Sequence, residues 1–200
     1  RVMRVLVVLA HPLPGSFNHA IAESACRALR GNGYEVLFHD LCAEGFDPLL
    51  KPADLEKGAI SDPVIAQHCW ELAECGGMIV VHPNWWGQPP AILKGWIDRV
   101  VRPGVAYEFL EGDSGEGIPR GLLAGKSALV FNTSDTPAEH ERDIFGDPLE
   151  SIWKKCIFGF CGVSNFCRKT YGVIVTSTPQ QRKVWLDDVI VTVDSFYPKP

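Results

Sequence analysis

Apolar residues along this chain gather in five short blocks, separated by stretches in which they recur at helical spacing. Residues 4–10 form an unbroken aliphatic run, as expected of a strand buried on both faces of a parallel sheet. Pro12, Pro14 and Gly15 then interrupt regular structure. Ser16 is placed to cap a helix through Ala20, Ala25 and Leu29, which Gly31-Asn32-Gly33 stops. Residues 34–38 read as a second strand and residues 42–57 as irregular. Asp62-Pro63 opens a second helix running to Cys75. Residues 78–81 are a third buried strand, 82–90 a loop and 91–101 a third helix. The Gly- and acid-rich stretch 104–125 reads as a long loop. A strand is expected at 126–132, a helix at 148–160, a strand at 165–176, and a last helix from Thr178-Pro179 that ends before Pro198. This alternation predicts an α/β protein: a flavodoxin-like, doubly wound sheet of five parallel strands with helices on both faces, in one domain over residues 3–197.

Composition narrows the function classes. The net charge is -5, from 19 basic and 24 acidic residues. That disfavours bulk attraction to nucleic acid or to an anionic membrane surface. The aliphatic runs are too short to span a bilayer, and no signal peptide is visible. Met3 ahead of Arg4-Val5-Leu6 is expected to be the natural start, with Arg1-Val2 an added remnant. Seven cysteines, at 26, 42, 69, 75, 156, 161 and 167, form no C-x-x-C pair. Free thiols in a reducing, cytoplasmic setting are the expectation. No metal site is expected, since His and Cys are scattered and the adjacent His68 and Cys69 would diverge by about 100° on a helix.

In a doubly wound sheet, ligands sit at the carboxyl ends of the strands, near the switch in strand order. After the first strand, His11, Ser16, Phe17 and Asn18 lead into a helix N-terminus, where free amides favour a phosphate. Equally, Ser16 is a simple helix cap. Neither G-x-G-x-x-G nor a P-loop is present. After the third strand, Pro83, Asn84, Trp85, Trp86 and Gly87 put two indoles in a loop braced by Pro89 and Pro90. They suit a wall beside a flat heterocycle, or they pack in the core.

Three segments carry a resemblance: H-P-x-x-x-S-F-N from His11, P-x-W-W-x-x-P-A-I-L-K-G-W-I-D-R-V from Pro83, and G-x-A-Y ending at Tyr107. Together they resemble the NAD(P)H:quinone oxidoreductase family of flavodoxin-like flavoproteins. The resemblance implies a bound flavin, NAD(P)H as electron donor, a quinone-like acceptor, and a homodimer with active sites at the subunit interface. It implies that His11, Ser16, Phe17 and Asn18 surround the flavin phosphate or ribityl chain. Pro83, Asn84, Trp85 and Trp86 would line the ring, while Tyr107, with Phe109, would border the substrate pocket. FMN is preferred to FAD, because the chain runs out soon after the last helix and leaves no segment to clasp an adenosine.

The family's T-T-G-G turn after the fourth strand is replaced here by Thr133-Ser134-Asp135-Thr136. Thr133 and Ser134 keep its polarity. Asp135 either faces the flavin or caps the next helix. His140 is the candidate for the Tyr and His that family members use in proton transfer, set against an exposed helix histidine. Two other classes stay open: a flavodoxin-type one-electron carrier, and a regulatory partner that senses redox state through bound flavin.

Overall fold

The computed structural model describes residues 2–56, 60–113 and 115–199. Five parallel strands form one sheet in the order β2-β1-β3-β6-β7. They are β1 (Arg4–Leu9), β2 (Glu35–Asp40), β3 (Gly77–Pro83), β6 (Ser127–Ser134) and β7 (Asn165–Gly172). The chain moves outward from β1 to β2, then returns to place β3 on β1's other side. The carboxyl ends of β1 and β3 therefore meet at the switch point, where such sheets bind ligands.

The aliphatic runs are buried as their pattern requires, and alternate residues serve opposite faces. Val5, Val7 and Leu9 pack with Ile21, Ala22, Val189 and Val193 beneath α1 (Phe17–Gly31) and α6 (Pro179–Phe196). Leu6 and Val8 pack with Leu72, Trp96 and Trp153 on the other face. That face carries α2 (Pro63–Glu74), α3 (Ala91–Val100) and α5 (Pro148–Ser151), which continues as a π-helical segment, Ile152–Gly159. Ser16 caps α1 and Asp62 caps α2, both accepting first-turn amides. Gly95 has a steric reason: a Cβ there would lie 2.3 Å from the Pro48 carbonyl oxygen.

Several boundaries differ from the sequence reading. β3 runs on through His82 and Pro83, and β6 through Ser134, because backbone pairing continues past the aliphatic runs. The fifth strand stops at Gly172 instead of 176. The 104–125 stretch is not wholly loop: β4 (Tyr107–Glu108) and β5 (Arg120–Gly121) pair antiparallel within it. Residues 52–55 make a 3-10 turn in the stretch read as irregular. Residues 57–59 of that stretch, and Ser114, lie outside the described residues. No described helix is long and apolar enough to cross a membrane.

His39, Glu44 and His68, scattered in sequence, are brought together at the end of β2. The two imidazoles lie with centroids 3.9 Å apart, tilted by 36°, and both nitrogens of His39 face carboxylates, those of Glu44 and Glu71. Trp96 Nε1–H donates to His68 Nδ1 (3.0 Å), so in a neutral ring Nε2 carries the hydrogen and offers no lone pair to a metal. This cluster reads as a polar brace.

His68 and His82 are both buried, and burial pulls each pKa down from 6.5 to about 4. A histidine with a depressed folded-state pKa binds fewer protons when folded than when unfolded. Its contribution is intact above pH 6.5 and is lost as pH falls toward 4. Each accounts for at most about 3 kcal/mol over that window. Urea midpoints are expected to drop clearly between pH 7 and pH 5. A flat profile there would show that these rings do not resist protonation.

Candidate active site

The loop after β1 and the loop after β3 face each other across the switch point, with the end of β6 beside them. They enclose a cleft of about 450 Å³. His11, Ser16, Phe17, Asn18, Pro83, Asn84, Trp85, Thr133, Ser134 and Asp135 all line it. Ten candidate residues from three distant segments thus converge, while Trp86 and Gly87, expected with them, do not line this cleft.

At one end stands the N-terminus of α1. Ser16 Oγ accepts the His19 amide (3.4 Å), while the Phe17 and Asn18 amides precede the helical hydrogen-bond ladder. The helix dipole adds partial positive charge there. Arg182, from the first turns of α6, supplies a full charge to the same cleft. Its guanidinium lies over the Phe17 ring at 5.6 Å and donates to Ser177 Oγ and the Ile174 carbonyl. Sequence reading missed Arg182, since nothing local marks it; the fold carries it from the far end of the chain. It also missed the pair behind Ser16. His19 Nδ1 lies 2.8 Å from Ser16 Oγ, and His19 Nε2 lies 3.0 Å from Asp40 Oδ2. Asn18 is buried, its amide donating to Thr133 Oγ1 (2.9 Å). Its side chain therefore ties α1 to β6 and is not free for an anion.

At the other end the backbone makes a tight turn. Trp85 N–H donates to Gln88 O (3.2 Å) and Gln88 N–H to Trp85 O (3.0 Å). Trp86 and Gly87 both have positive φ, 58° and 68°. Two central residues with positive φ define a type I′ turn, which Gly tolerates and a bulky residue does not. Gly87 is also confined, since a Cβ would lie 2.6 Å from Pro148 Cγ. Asn84 pins the turn: its Oδ1 accepts from Gly87 N–H (3.0 Å) and its own N–H donates to Thr133 O (2.7 Å). The indoles do not pack in the core. Trp85 is 43% exposed and Trp86 100%. Such strain at an exposed aromatic residue is typical of a working site.

Beneath the cleft, His82 is fully buried. Its Nδ1–H donates to the Pro83 carbonyl (2.8 Å), and Nε2 accepts from Trp153 Nε1–H and Asn132 Nδ2–H (both 2.9 Å). This holds the end of β3 rigid under the turn. Beyond the Trp86 turn, Asn84 and Thr136 also line a second cavity, of about 530 Å³. Its other walls are Trp86, Gly87, Glu141, Phe145 and Pro148.

The turn after β6 is closed without glycine. Ser134 Oγ accepts from Thr136 N–H (3.1 Å). Asp135 is not the cap of α4 (Ala138–Asp143), whose N-cap is Pro137. Its carboxylate instead accepts from Val175 N–H (2.7 Å) and lines the cleft. His140 is exposed on α4 against Phe145 and lines neither the cleft nor the second cavity. Adjacent helical residues diverge by about 100°, and it is Glu141 that faces the cavity. Tyr107 lies elsewhere, in a third cavity of about 430 Å³ with Asp98 and Arg102. The cysteines are unpaired, and burial pushes the thiols of Cys26, Cys69 and Cys161 up to about 11, which leaves them unreactive.

A flavin fits this donor set. The helix end, Ser16 and Arg182 suit its phosphate, while Trp85 and Pro83 offer a flat wall for its ring.

Comparison with known proteins agrees. The family model described as the flavodoxin-like fold matches residues 3–168. A Haemophilus influenzae protein named an uncharacterized NAD(P)H oxidoreductase is 30% identical over 190 residues, 92% of this chain and 91% of its own length. NAD(P)H dehydrogenase [quinone] 1 of Rattus norvegicus is 35% identical over 186 residues, covering 80% of this chain and 65% of the rat protein. Among solved structures, Smu.1420 from Streptococcus mutans superposes with a TM-score of 0.80 at 27% identity, covering 96% of this chain and all of that one. With its His11 and Pro83 motifs meeting at the switch-point cleft, the chain belongs to the flavodoxin-like fold family, on the branch of the NAD(P)H:quinone oxidoreductases that its motifs resemble.

Proposed function

We propose that the chain holds FMN in the switch-point cleft and carries two electrons from NAD(P)H to quinone-like acceptors, as a homodimer. The observation that carries this reading is the continuity of three features: an anion-ready helix end, an aromatic wall, and an open cavity beside that wall. A bound flavin supplies the chemistry, accepting hydride from a nicotinamide and passing two electrons on. The residues bind, orient and exclude water. Ser16, the first amides of α1 and Arg182 anchor the phosphate. Pro83, Asn84 and Trp85 border the ring, with Thr133 and Ser134 beside them on the neighbouring strand. Trp86 and Phe145 wall a slot that nicotinamide and acceptor enter in turn. A cleft of about 450 Å³ has room for a flavin ring and its ribityl phosphate.

Two further observations favour a dimer. Tyr107 and Phe109 lie outside the cleft of their own chain, and the hairpin they sit on is lined with exposed Leu110 and Ile118. In the proposed dimer these residues cover the partner's slot, removing that apolar surface from water. Sedimentation is expected to give a dimer at micromolar concentration; a monomer would contradict it. The relatives' names, and a slot open enough for a ring, favour turnover over one-electron carriage. Steady-state kinetics with NAD(P)H and a naphthoquinone are expected to give the parallel lines of a ping-pong mechanism. Intersecting lines, or no turnover, would overturn the reading.

Asp135 tunes the same site. Its carboxylate in the cleft disfavours added negative charge on a reduced ring. Asp135→Asn keeps the acceptor for Val175 N–H and removes the charge. The flavin potential is expected to rise by more than about 10 mV, roughly 0.5 kcal/mol for a two-electron couple. A smaller shift in a redox titration would remove Asp135 from the site.

A further inference from the structure

The cavity beyond the Trp86 turn has aromatic and apolar walls, and among the described residues Glu141 is the one charged side chain lining it. This carboxylate is not a loose surface acid. Its Oε1 accepts from Asn84 Nδ2–H (2.9 Å), and Asn84 is itself fixed by Gly87 and Thr133. Nor is its charge answered. Among the described residues Glu141 makes no ion pair. The neighbouring Arg142 pairs with Asp143 (2.7 Å). Arg168, across a smaller cavity on Glu141's other side, is engaged by Asp147 and Glu150. The result is an unneutralised negative charge at the rim of an aromatic slot. Trp86 and Phe145 offer π faces, which attract a cation and do not attract an anion.

We infer that Glu141 makes this slot select cationic ring acceptors over anionic ones. The inference deepens the proposed function and rests on it, because the slot is the acceptor site only in that reading. An acceptor carrying a quaternary ammonium or pyridinium group gains the carboxylate's attraction and the aromatic faces together. One carrying a sulfonate or carboxylate meets repulsion. A neutral quinone lies between. A single carboxylate at contact distance in a partly shielded site is worth about tenfold in relative affinity for each sign of charge.

The test uses the flavin-loaded protein and three 1,4-naphthoquinones: neutral, sulfonated, and bearing a trimethylammonium group. Two quantities are read for each: kcat/KM with NAD(P)H, and the dissociation constant from quenching of tryptophan fluorescence with no NAD(P)H present. The cation-to-anion ratio is expected to be about a hundredfold in both, to collapse toward one in Glu141→Gln, and to invert in Glu141→Lys. Raising ionic strength is expected to shrink the ratio in the unmodified protein, a result that needs no variant to fold. Turnover of all three with a ratio that neither substitution nor salt moves would overturn the inference and leave the proposed function standing. A charge-dependent dissociation constant with no turnover of any quinone would overturn the proposed function, and would show the cavity to be a cation-selective site of another kind.

Discussion

Replacing Ser16 by Ala and Arg182 by Gln together is expected to weaken flavin binding at least about a hundredfold. Each substitution removes a donor to a charged phosphate, and such bonds are worth about 1.5–3 kcal/mol. The pair therefore exceeds the ~2.7 kcal/mol that a hundredfold requires. The side effects are separable. Ser16→Ala also loses the cap on the His19 amide, about 1 kcal/mol of stability. Arg182→Gln loosens the loop before α6 by giving up its bonds to Ser177 and Ile174. Fluorescence titration of the apoprotein gives the affinity, and circular dichroism shows whether the sheet persists. Unchanged affinity in a folded double variant would move the phosphate away from the α1 N-terminus. His19 makes the experiment more informative. When its Nε2–H donates to Asp40, Nδ1 accepts the Ser16 hydroxyl and competes with a phosphate for that donor.

Arg99→Met is expected to destabilise the fold by about 3–5 kcal/mol. The Arg99 side chain is 1% exposed, on the α3 face turned toward the 3-10 turn and α2. Nε donates to Asp54 Oδ2 (2.9 Å), one terminal nitrogen to Asp62 Oδ2 (3.1 Å), and the other to the Asp47 carbonyl (2.9 Å). Burial alone pushes the Asp54 and Asp62 carboxyls up. The bonds from Arg99 and from backbone amides outweigh it and hold both below the ordinary range. Met fills similar volume but takes from Asp54 and Asp62 the guanidinium that joins them. For a chain this long the melting temperature is expected to fall by about 10 °C. Arg99→Lys should fall between, since a single ammonium cannot reproduce the fork that reaches two carboxylates. A melting temperature unchanged in Arg99→Met would mean that this ion cluster contributes nothing to stability.

What could be read from the sequence was what is local. Aliphatic runs at 4–10 and 78–81 announce buried parallel strands because burial on both faces leaves no polar positions. Ser16 and Asp62 announce helix starts because capping is a matter of a few residues. The motifs at His11 and Pro83 lie on the two loops that the strand order brings together. What escaped reading depends on distant segments or on backbone conformation. Arg182 and Glu141 enter the site from α6 and α4, far along the chain, on helix faces that no periodicity distinguishes. The β4–β5 hairpin has two-residue strands in a Gly- and acid-rich stretch, too short to show alternation. By residue type His140 is either a proton-transfer candidate or an exposed helix histidine, and the turn of α4 gives the cavity wall to its neighbour Glu141. The exposure of Trp86 follows from a positive φ that residue type argues against. The His39–His68 pair closes only when β2 and α2 pack.

The central claim is that the switch-point cleft holds a flavin that NAD(P)H reduces. The most direct measurement is the visible absorbance of the purified protein, after loading with FMN if it is isolated colourless, followed without oxygen as NADH or NADPH is added and then a quinone. The account predicts a flavin spectrum that one or both nucleotides bleach and the quinone restores, with a released chromophore of the mass of FMN. A protein that retains neither FMN nor FAD, or a bound flavin that neither nucleotide bleaches, would contradict it.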